Sequence, residues 1–332
     1  MRITQRSTRP LLTADRPYED FTLGWLSVIK HDGRWHMWYL SYDHTYKDDR
    51  DGFICYAGSK DGVNWEKPSL GLVEHNGSKD NNIIFAGSAA KGIHGHSVFL
   101  DPRAPANERF KMAYVDLVQN TEQPGWWVFG ATSADGIHWN LIEKPILKYN
   151  SDSQVSCFRD GDVYRLYIRM WSGALFTSKR IIGCTQSSTF GDFPDPRPIL
   201  SPDAQDPAEL QFYNSAVSKL GDGLYVMFPS AFYTKIGTVI PHVAYSRDAV
   251  TFARPTHEPI LPLGKSFDST TVYVAPGAVP ADKPSSYWFY YIGGTVKHDD
   301  VWPEKTRCNG GVGRFRLEVE GPPLVSLTAQ SP

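Results

Sequence analysis

The sequence predicts an all-β fold, a five-bladed β-propeller of antiparallel three- to four-stranded blades, and two recurring marks predict it. Ser59-Lys60-Asp61-Gly62-Val63-Asn64-Trp65 returns as Ser133-Ala134-Asp135-Gly136-Ile137-His138-Trp139 and, more loosely, as Ser246-Arg247-Asp248-Ala249-Val250-Thr251-Phe252. A degenerate copy stands at Ser187-Ser188-Thr189-Phe190-Gly191-Asp192-Phe193. In chain order the copies are 74, 54 and 59 residues apart, too far for one hairpin and right for a multi-strand unit copied along the chain. In the same phase runs a turn followed by an aromatic strand, led in turn by Trp35, Phe110, Tyr164, Tyr225 and Tyr287. Five such units use up nearly all 332 residues, so the chain is read as one domain with blades at roughly 20–68, 92–145, 150–200, 206–260 and 266–320.

Each unit offers a first strand, the aromatic strand, and a third strand closing on the serine of the mark. The expected strands cover 25–30, 35–41 and 52–58; then 97–100, 110–115 and 126–132; then 155–158, 163–169 and 181–186; then 215–220, 224–230 and 239–245; and finally 271–275, 287–292 and 311–317. Helical periodicity is nearly absent, its best candidate being one turn at 207–212. A radial propeller closes such sheets with only short edges exposed, whereas the competing β-sandwich gives no reason for one motif to recur. The tail from Glu320 to Pro332 is read as the closing strand or as the cut edge of a longer protein.

Composition narrows the function. With 34 basic and 36 acidic residues and no run of either sign, neither nucleic acid nor an anionic membrane is a favoured partner. Aromatics at 13% suit a β-rich core or a sugar-stacking site. Cys55, Cys157, Cys184 and Cys308 form no C-x-x-C pair and are read as buried thiols. The first 20 residues lack the apolar core of a signal peptide and no long apolar run follows, so the chain is expected to be soluble, either cytoplasmic or secreted with its leader trimmed. Oligomeric state is left open.

In a propeller the first strands of all blades start at one mouth, so residues distant in sequence converge there. The segments before those strands carry Glu19 and Asp20, His94 and His96, Asp152 and Gln154, Glu209 and Tyr213, and Asp268. Carboxylates at four of five such positions are costly unless they serve a purpose. Converging acids are what glycoside hydrolysis needs: one protonates the leaving oxygen, and another acts as nucleophile or as base toward water. Trp25, Trp171, Tyr213, Phe232 and Tyr233 stand near the same loops and could stack on a sugar. Asp61, Asp135 and Asp248 are expected to cap turns, Trp65, Trp139 and Phe252 to pack between blades, and Asp101 of Asp101-Pro102 to form a turn.

With these residues in view, the five-unit layout, the acids before the first strands and the S-x-D-G-x-x-W closing strand resemble the arabinanase, levansucrase and invertase superfamily of five-bladed glycoside hydrolases. Asp15-Arg16-Pro17-Tyr18-Glu19, Trp65-Glu66-Lys67-Pro68-Ser69-Leu70-Gly71 and Gly77-Ser78-Lys79-Asp80-Asn81-Asn82, with Asp101-Pro102 and Arg109-Phe110-Lys111, look like a poorly characterised branch of it. The resemblance implies a glycosidase, a furanoside substrate, and acids on the first three blades. Here the second blade offers His94 and His96 where an aspartate is expected, and some relatives use a histidine as proton donor or beside a central cation.

The resulting expectation is a carboxylate pair, Asp152 and Glu209, supported by Glu19, Asp268 and His96. Asp20, His94, Gln154, Arg169, Trp171, Tyr213 and His298 would contact a carbohydrate substrate. No cofactor and no catalytic metal are called for, although a structural cation in the channel fits. The rivals are a glycan lyase, in which His96, Tyr213 and Arg169 act on a uronate, and a non-catalytic carbohydrate-binding propeller.

Overall fold

The computed structural model describes residues 1–45, 47, 51–87, 92–119, 121–175, 177–300 and 310–319; Cys308 and the tail from Glu320 to Pro332 lie outside them. The architecture is an all-β propeller. The first unit pairs Thr22–His31, Arg34–Tyr42 and Phe53–Ser59 antiparallel, the second His94–Leu100, Phe110–Val118 and Gly125–Ser133, and the third Ser156–Asp160, Val163–Trp171 and Arg180–Ser187. Short fourth strands that the sequence did not announce, Trp65–Glu66, Trp139–Leu141 and Arg197–Leu200, complete these three sheets. The last unit joins Thr271–Val274, Ser286–Gly294 and Gly311–Glu318.

The fourth unit departs from expectation, and prolines explain it. Where one strand was expected over 224–230, the chain makes Tyr225–Met227, breaks at Pro229 and resumes as Ser230–Tyr233; likewise Thr238–Pro241 and Ala244–Ser246 replace one strand over 239–245. Proline has no N–H to give a ladder. One half, Val217–Lys219 with Tyr225–Met227 and Ala244–Ser246, forms its own three-stranded sheet. The other half, Leu210–Phe212 with Ser230–Tyr233 and Thr238–Pro241, joins the last unit's sheet through one parallel pairing, Val239 with Thr271. The expected helical turn at 207–212 is therefore a loop leading into a strand.

The first strands lie against one another in chain order, tied by a relay of buried serines. Ser27 Oγ accepts the amide N–H of Val98 at 3.0 Å, Ser97 that of Cys157 at 3.2 Å, Ser156 that of Val217 at 3.1 Å, and Ser218 that of Gly277 at 3.0 Å. Two residues expected at the site brace the same axis. Gln154 donates to the carbonyls of Leu26 and His96, at 2.9 and 2.8 Å. His96 is fully buried with Nε2 against the Trp38 carbonyl at 3.2 Å, which requires the ring proton on Nε2, and its Nδ1 meets no partner. Burial pushes the His96 pKa down to about 4.

A second tie sits further out, at the repeat mark. In each full copy the serine Oγ accepts the N–H three residues on at 2.9 Å, at Gly62, Gly136 and Ala249, and the aspartate accepts the N–H two residues on at 2.8 Å, at Val63, Ile137 and Val250. These aspartates cap turns, as expected; backbone bonds from Asn64 and Val63 hold the Asp61 carboxyl well below the usual range. The turn then exposes a carbonyl to the preceding unit. Trp38 Nε1 donates to Gly136 O at 2.6 Å, Tyr167 Oη to Ala249 O at 2.8 Å, and Tyr290 Oη to Gly62 O at 2.7 Å. The mark's aromatic packs on the same side chain: Trp139 on Trp38, Phe252 on Tyr167, Trp65 on Tyr290.

Trp38, Tyr167 and Tyr290 each stand three residues after a leading aromatic. The equivalent residues of the other two units, Ala113 and Phe228, carry no donor, and the units that follow them carry a degenerate mark and none. Since Tyr290 of the last unit reaches the turn of the first, the contact also closes the ring. The N-terminal strand Arg2–Arg6, unforeseen in the sequence, seals that junction by pairing antiparallel with Gly311–Glu318. Cys55, Cys157 and Cys184 are buried free thiols, and among the described residues no helix is long and apolar enough to cross a membrane.

Two outcomes follow. Tyr290→Phe leaves the Gly62 carbonyl only the longer bond from Arg314 Nη1 at 3.3 Å and should lower the unfolding free energy by about 0.5–1.5 kcal/mol in urea titration, with the fold retained by circular dichroism. His96 has its pKa depressed from 6.5 to about 4, so the unfolded chain binds more protons in that window and stability should fall as pH drops from about 6.5 toward 4. His96→Gln should flatten that slope.

Candidate active site

Backbone irregularity aims the first side chains of the site. Pairing of the first unit's opening strand shifts register between Leu23 and Leu26, and that of the second between His94 and Ser97, where Gly95 takes φ 55°. Such bulges turn a side chain out of its alternation, and here they sit at Trp25 and His94. Trp25 Nε1 donates to His94 Nε2 at 3.1 Å. An indole only donates, so the His94 proton is on Nδ1, which meets the Tyr42 hydroxyl at 3.0 Å. Both nitrogens of His94 are thus engaged, and its work is to fix Trp25 and Tyr42.

Trp25 stacks on Tyr213 with centroids 6.1 Å apart and meets Tyr273 edge-on at 5.0 Å. Tyr213 and Phe232 flank His298, with ring centroids at 4.5 and 4.8 Å, and His298 Nδ1 lies 2.7 Å from the Tyr273 hydroxyl. Burial, and then the charges of Arg180 and Arg169, push the His298 pKa down to about 3, so the imidazole is neutral at pH 7. A cavity of about 130 Å³ opens among Trp25, Tyr42, His94, Tyr213, Tyr273 and His298. A water occupies roughly 30 Å³, so the space admits several waters or part of a small ligand.

The third unit adds charge to this wall. Arg169, buried near the end of Val163–Trp171, is ion-paired with Asp152, and its guanidinium lies 5.0 Å from the Trp171 ring and 5.8 Å from that of Tyr213. Arg180 pairs across the sheet with Trp171. Its guanidinium is held among the rings of Trp171, Tyr213 and Phe232 at 5.0, 5.3 and 5.6 Å, and Nη1 donates to Gln211 Oε1 at 2.7 Å. Burial, then the neighbouring Arg169 charge, lowers the Arg180 pKa against the opposing influence of Tyr213.

Of the residues expected at the site, Asp152, Arg169, Trp171, Tyr213, His94 and His298 are drawn together around this wall, with Trp25 and Phe232. The others are elsewhere. Glu19 is completely buried, accepting from Tyr39 Oη and Lys67 Nζ at 2.6 Å each and from the amides of Asp15 and Arg16, so it serves the packing of the first unit. Asp20 points outward to His44, at 2.8 Å from its Nδ1. Asp268 is locked by Arg6 Nη2 at 2.6 Å and Tyr291 Oη at 2.9 Å and thereby anchors the N-terminal strand. His96 and Gln154 brace the axis. Glu209 lies at the end of the 210–233 hairpin with Lys235 Nζ at 3.6 Å, and among the described residues no contact links it to Asp152. Tyr233 faces His242 at 3.1 Å. Asp101 forms its turn, accepting from Arg103 N at 3.0 Å.

Three contributors were missed. Tyr42 ends the second strand of its unit, Tyr273 alternates with buried valines in Thr271–Val274, and Arg180 opens a third strand, a place the search for residues preceding first strands passes over.

Residues 26–182 match the family described as the glycosyl hydrolases family 32 N-terminal domain. None of the curated proteins matches the sequence. Solved structures do. An N-acetylgalactosamine deacetylase from F. plautii, in complex with blood group B trisaccharide, superimposes with a TM-score of 0.65 at 14% identity, over 92% of this chain and 95% of that one. A thermostable family-43 glycoside hydrolase gives 0.57 at 15%, over 93% of each chain. The Bombyx mori family 32 β-fructofuranosidase gives 0.59 at 13%, over 95% of this chain and 64% of its own. The chain therefore has the β-propeller fold of these glycoside hydrolases, and its residues 26–182 match the family 32 N-terminal domain.

Proposed function

We propose that the protein is a glycoside hydrolase, a five-bladed propeller that cleaves a glycosidic bond of a short glycan or a terminal sugar at the mouth where Trp25, Tyr213 and His298 meet. The relation to family 32 favours a furanoside. Five blades are supported by the serine relay, whose four links span 71, 60, 61 and 59 residues, together with the Tyr290 contact that returns from the last unit to the first. A carbohydrate substrate suits a wall of aromatic faces interrupted by hydrogen-bonding groups, since a sugar ring has apolar faces and hydroxyl edges.

The observation that carries the catalytic reading is Asp152, partly exposed and oriented by buried Arg169 beside Trp171 and Tyr213. It is the carboxylate placed to act as nucleophile or as base toward water. The sequence pairs it with Glu209, whose contact to exposed Lys235 is a weak tether that lets the carboxyl turn. A proton-bearing group at the same mouth is the Tyr273 hydroxyl, backed by the neutral imidazole of His298.

On a panel of aryl furanosides, aryl pyranosides and oligosaccharides, Asp152→Asn should lower kcat by roughly 10²- to 10⁴-fold, the range for a positioned acid or base. Tyr273→Phe should do likewise, and Glu209→Gln should stay within a few-fold. Full turnover by Asp152→Asn would remove the mechanism, and loss of turnover in Glu209→Gln would restore the carboxylate pair.

A further inference from the structure

Arg180 has a cage but, among the described residues, no direct ion pair. Its guanidinium is half-buried among three aromatic rings, and its one side-chain hydrogen bond goes to a neutral amide, Gln211. Nε is buried without an acceptor. Two acids, Asp152 and Asp299, act on it through space, but Asp152 is taken by Arg169, and among the described residues no carboxylate forms an ion pair with Arg180. By contrast Arg6, Arg165 and Arg254, also partly buried, each face a carboxylate at 2.6 Å.

Holding a cation partly out of water is unfavourable, and aromatic faces offset only part of it. A guanidinium kept so, with most of its terminal N–H bonds uncommitted, is set up for a planar anion that arrives from outside. It stands on Tyr213, whose ring also lines the cavity against His298. We propose that the mouth takes an acidic sugar, a glycan unit bearing a uronate carboxylate, and that Arg180 is the residue that receives that carboxylate while Trp25 and Tyr213 receive the ring. The proposal rests on the reading of this mouth as the sugar site. It assigns binding only, and no bond is made or broken at Arg180.

The test uses sugar pairs that differ in the C6 carboxylate, glucuronate against glucose and galacturonate against galactose, with glucose 6-sulfate as a third anion. Binding is followed by ligand-observed NMR and titration calorimetry on the full chain. The wild type should bind each uronate at least about tenfold more tightly than its neutral partner, with the preference shrinking as salt is raised. Arg180→Gln should abolish the preference. Arg180→Lys, which keeps the charge but not the fork, should fall between, and thermal melting checks that both variants remain folded. Equal binding of acid and neutral sugar, no measurable binding of either uronate, or a preference that survives Arg180→Gln would each overturn the proposal, and tighter binding of the sulfate ester would overturn the carboxylate assignment. Tyr213→Ala separates the two readings. If it weakens every sugar, the mouth is the binding site whatever Arg180 does; if it changes none while Arg180→Gln still removes the preference, the anion site stands and the mouth reading falls.

Discussion

The structure depends on one repeated hydrogen bond, the serine hydroxyl that takes an amide N–H from the opening segment of the next unit. A buried backbone donor that loses its partner costs about 1–3 kcal/mol, and the first strands crowd together where no water can substitute. Ser27, Ser97, Ser156 and Ser218 each remove that penalty and fix the height of one unit against the next. Because the strands are held at one height, the residues just before them come to a common level. That is why Trp25, His94, Asp152 and Tyr213, spread over much of the chain, can share a wall.

The outer tie shows how sequence and packing are matched. A turn of the Ser-x-Asp-Gly type satisfies its own amides and leaves one carbonyl facing the preceding unit. Trp38, Tyr167 and Tyr290 supply a donor where such a carbonyl waits, and Ala113 and Phe228 stand where it does not. The glycine is needed where the fit is tight: Gly136 has φ 75°, and a Cβ there would lie 2.6 Å from Trp38. At the looser third copy, Ala249 takes the same left-handed turn at φ 64°.

Much of this was legible. The leading aromatics and the serine marks placed most long strands, since both depend on local residues and a fixed phase. The fourth unit was misread because Pro229 and Pro241 outweigh the apolar pattern around them. The N-terminal strand was invisible, because Arg2–Arg6 becomes a strand only through a partner some 300 residues away. The same limitation governed the acids. Glu19 and Asp268 occupy the expected phase, but whether a carboxylate is a reagent or a structural anion depends on its cation, and Lys67 and Arg6 are distant in sequence. The aromatic side of the mouth, Trp25, Trp171, Tyr213 and Phe232, does come together, because apolar faces there need no such partner.

The distribution of charge then has a definite sense. Three enclosed acids each have a cation of their own, Lys67 for Glu19, Arg6 for Asp268 and Arg254 for Asp206. At the mouth two guanidinium groups stand near the partly exposed Asp152 and the exposed Asp299, and a histidine is kept neutral by burial and by those same arginines. A site arranged around converging acids would repel an anionic ligand and would need at least one of those acids protonated. This one leaves a cation over and lines it with aromatic faces. Whatever binds here must therefore bring apolar ring surface and hydroxyl edges, and Arg180 favours its bringing a negative charge as well.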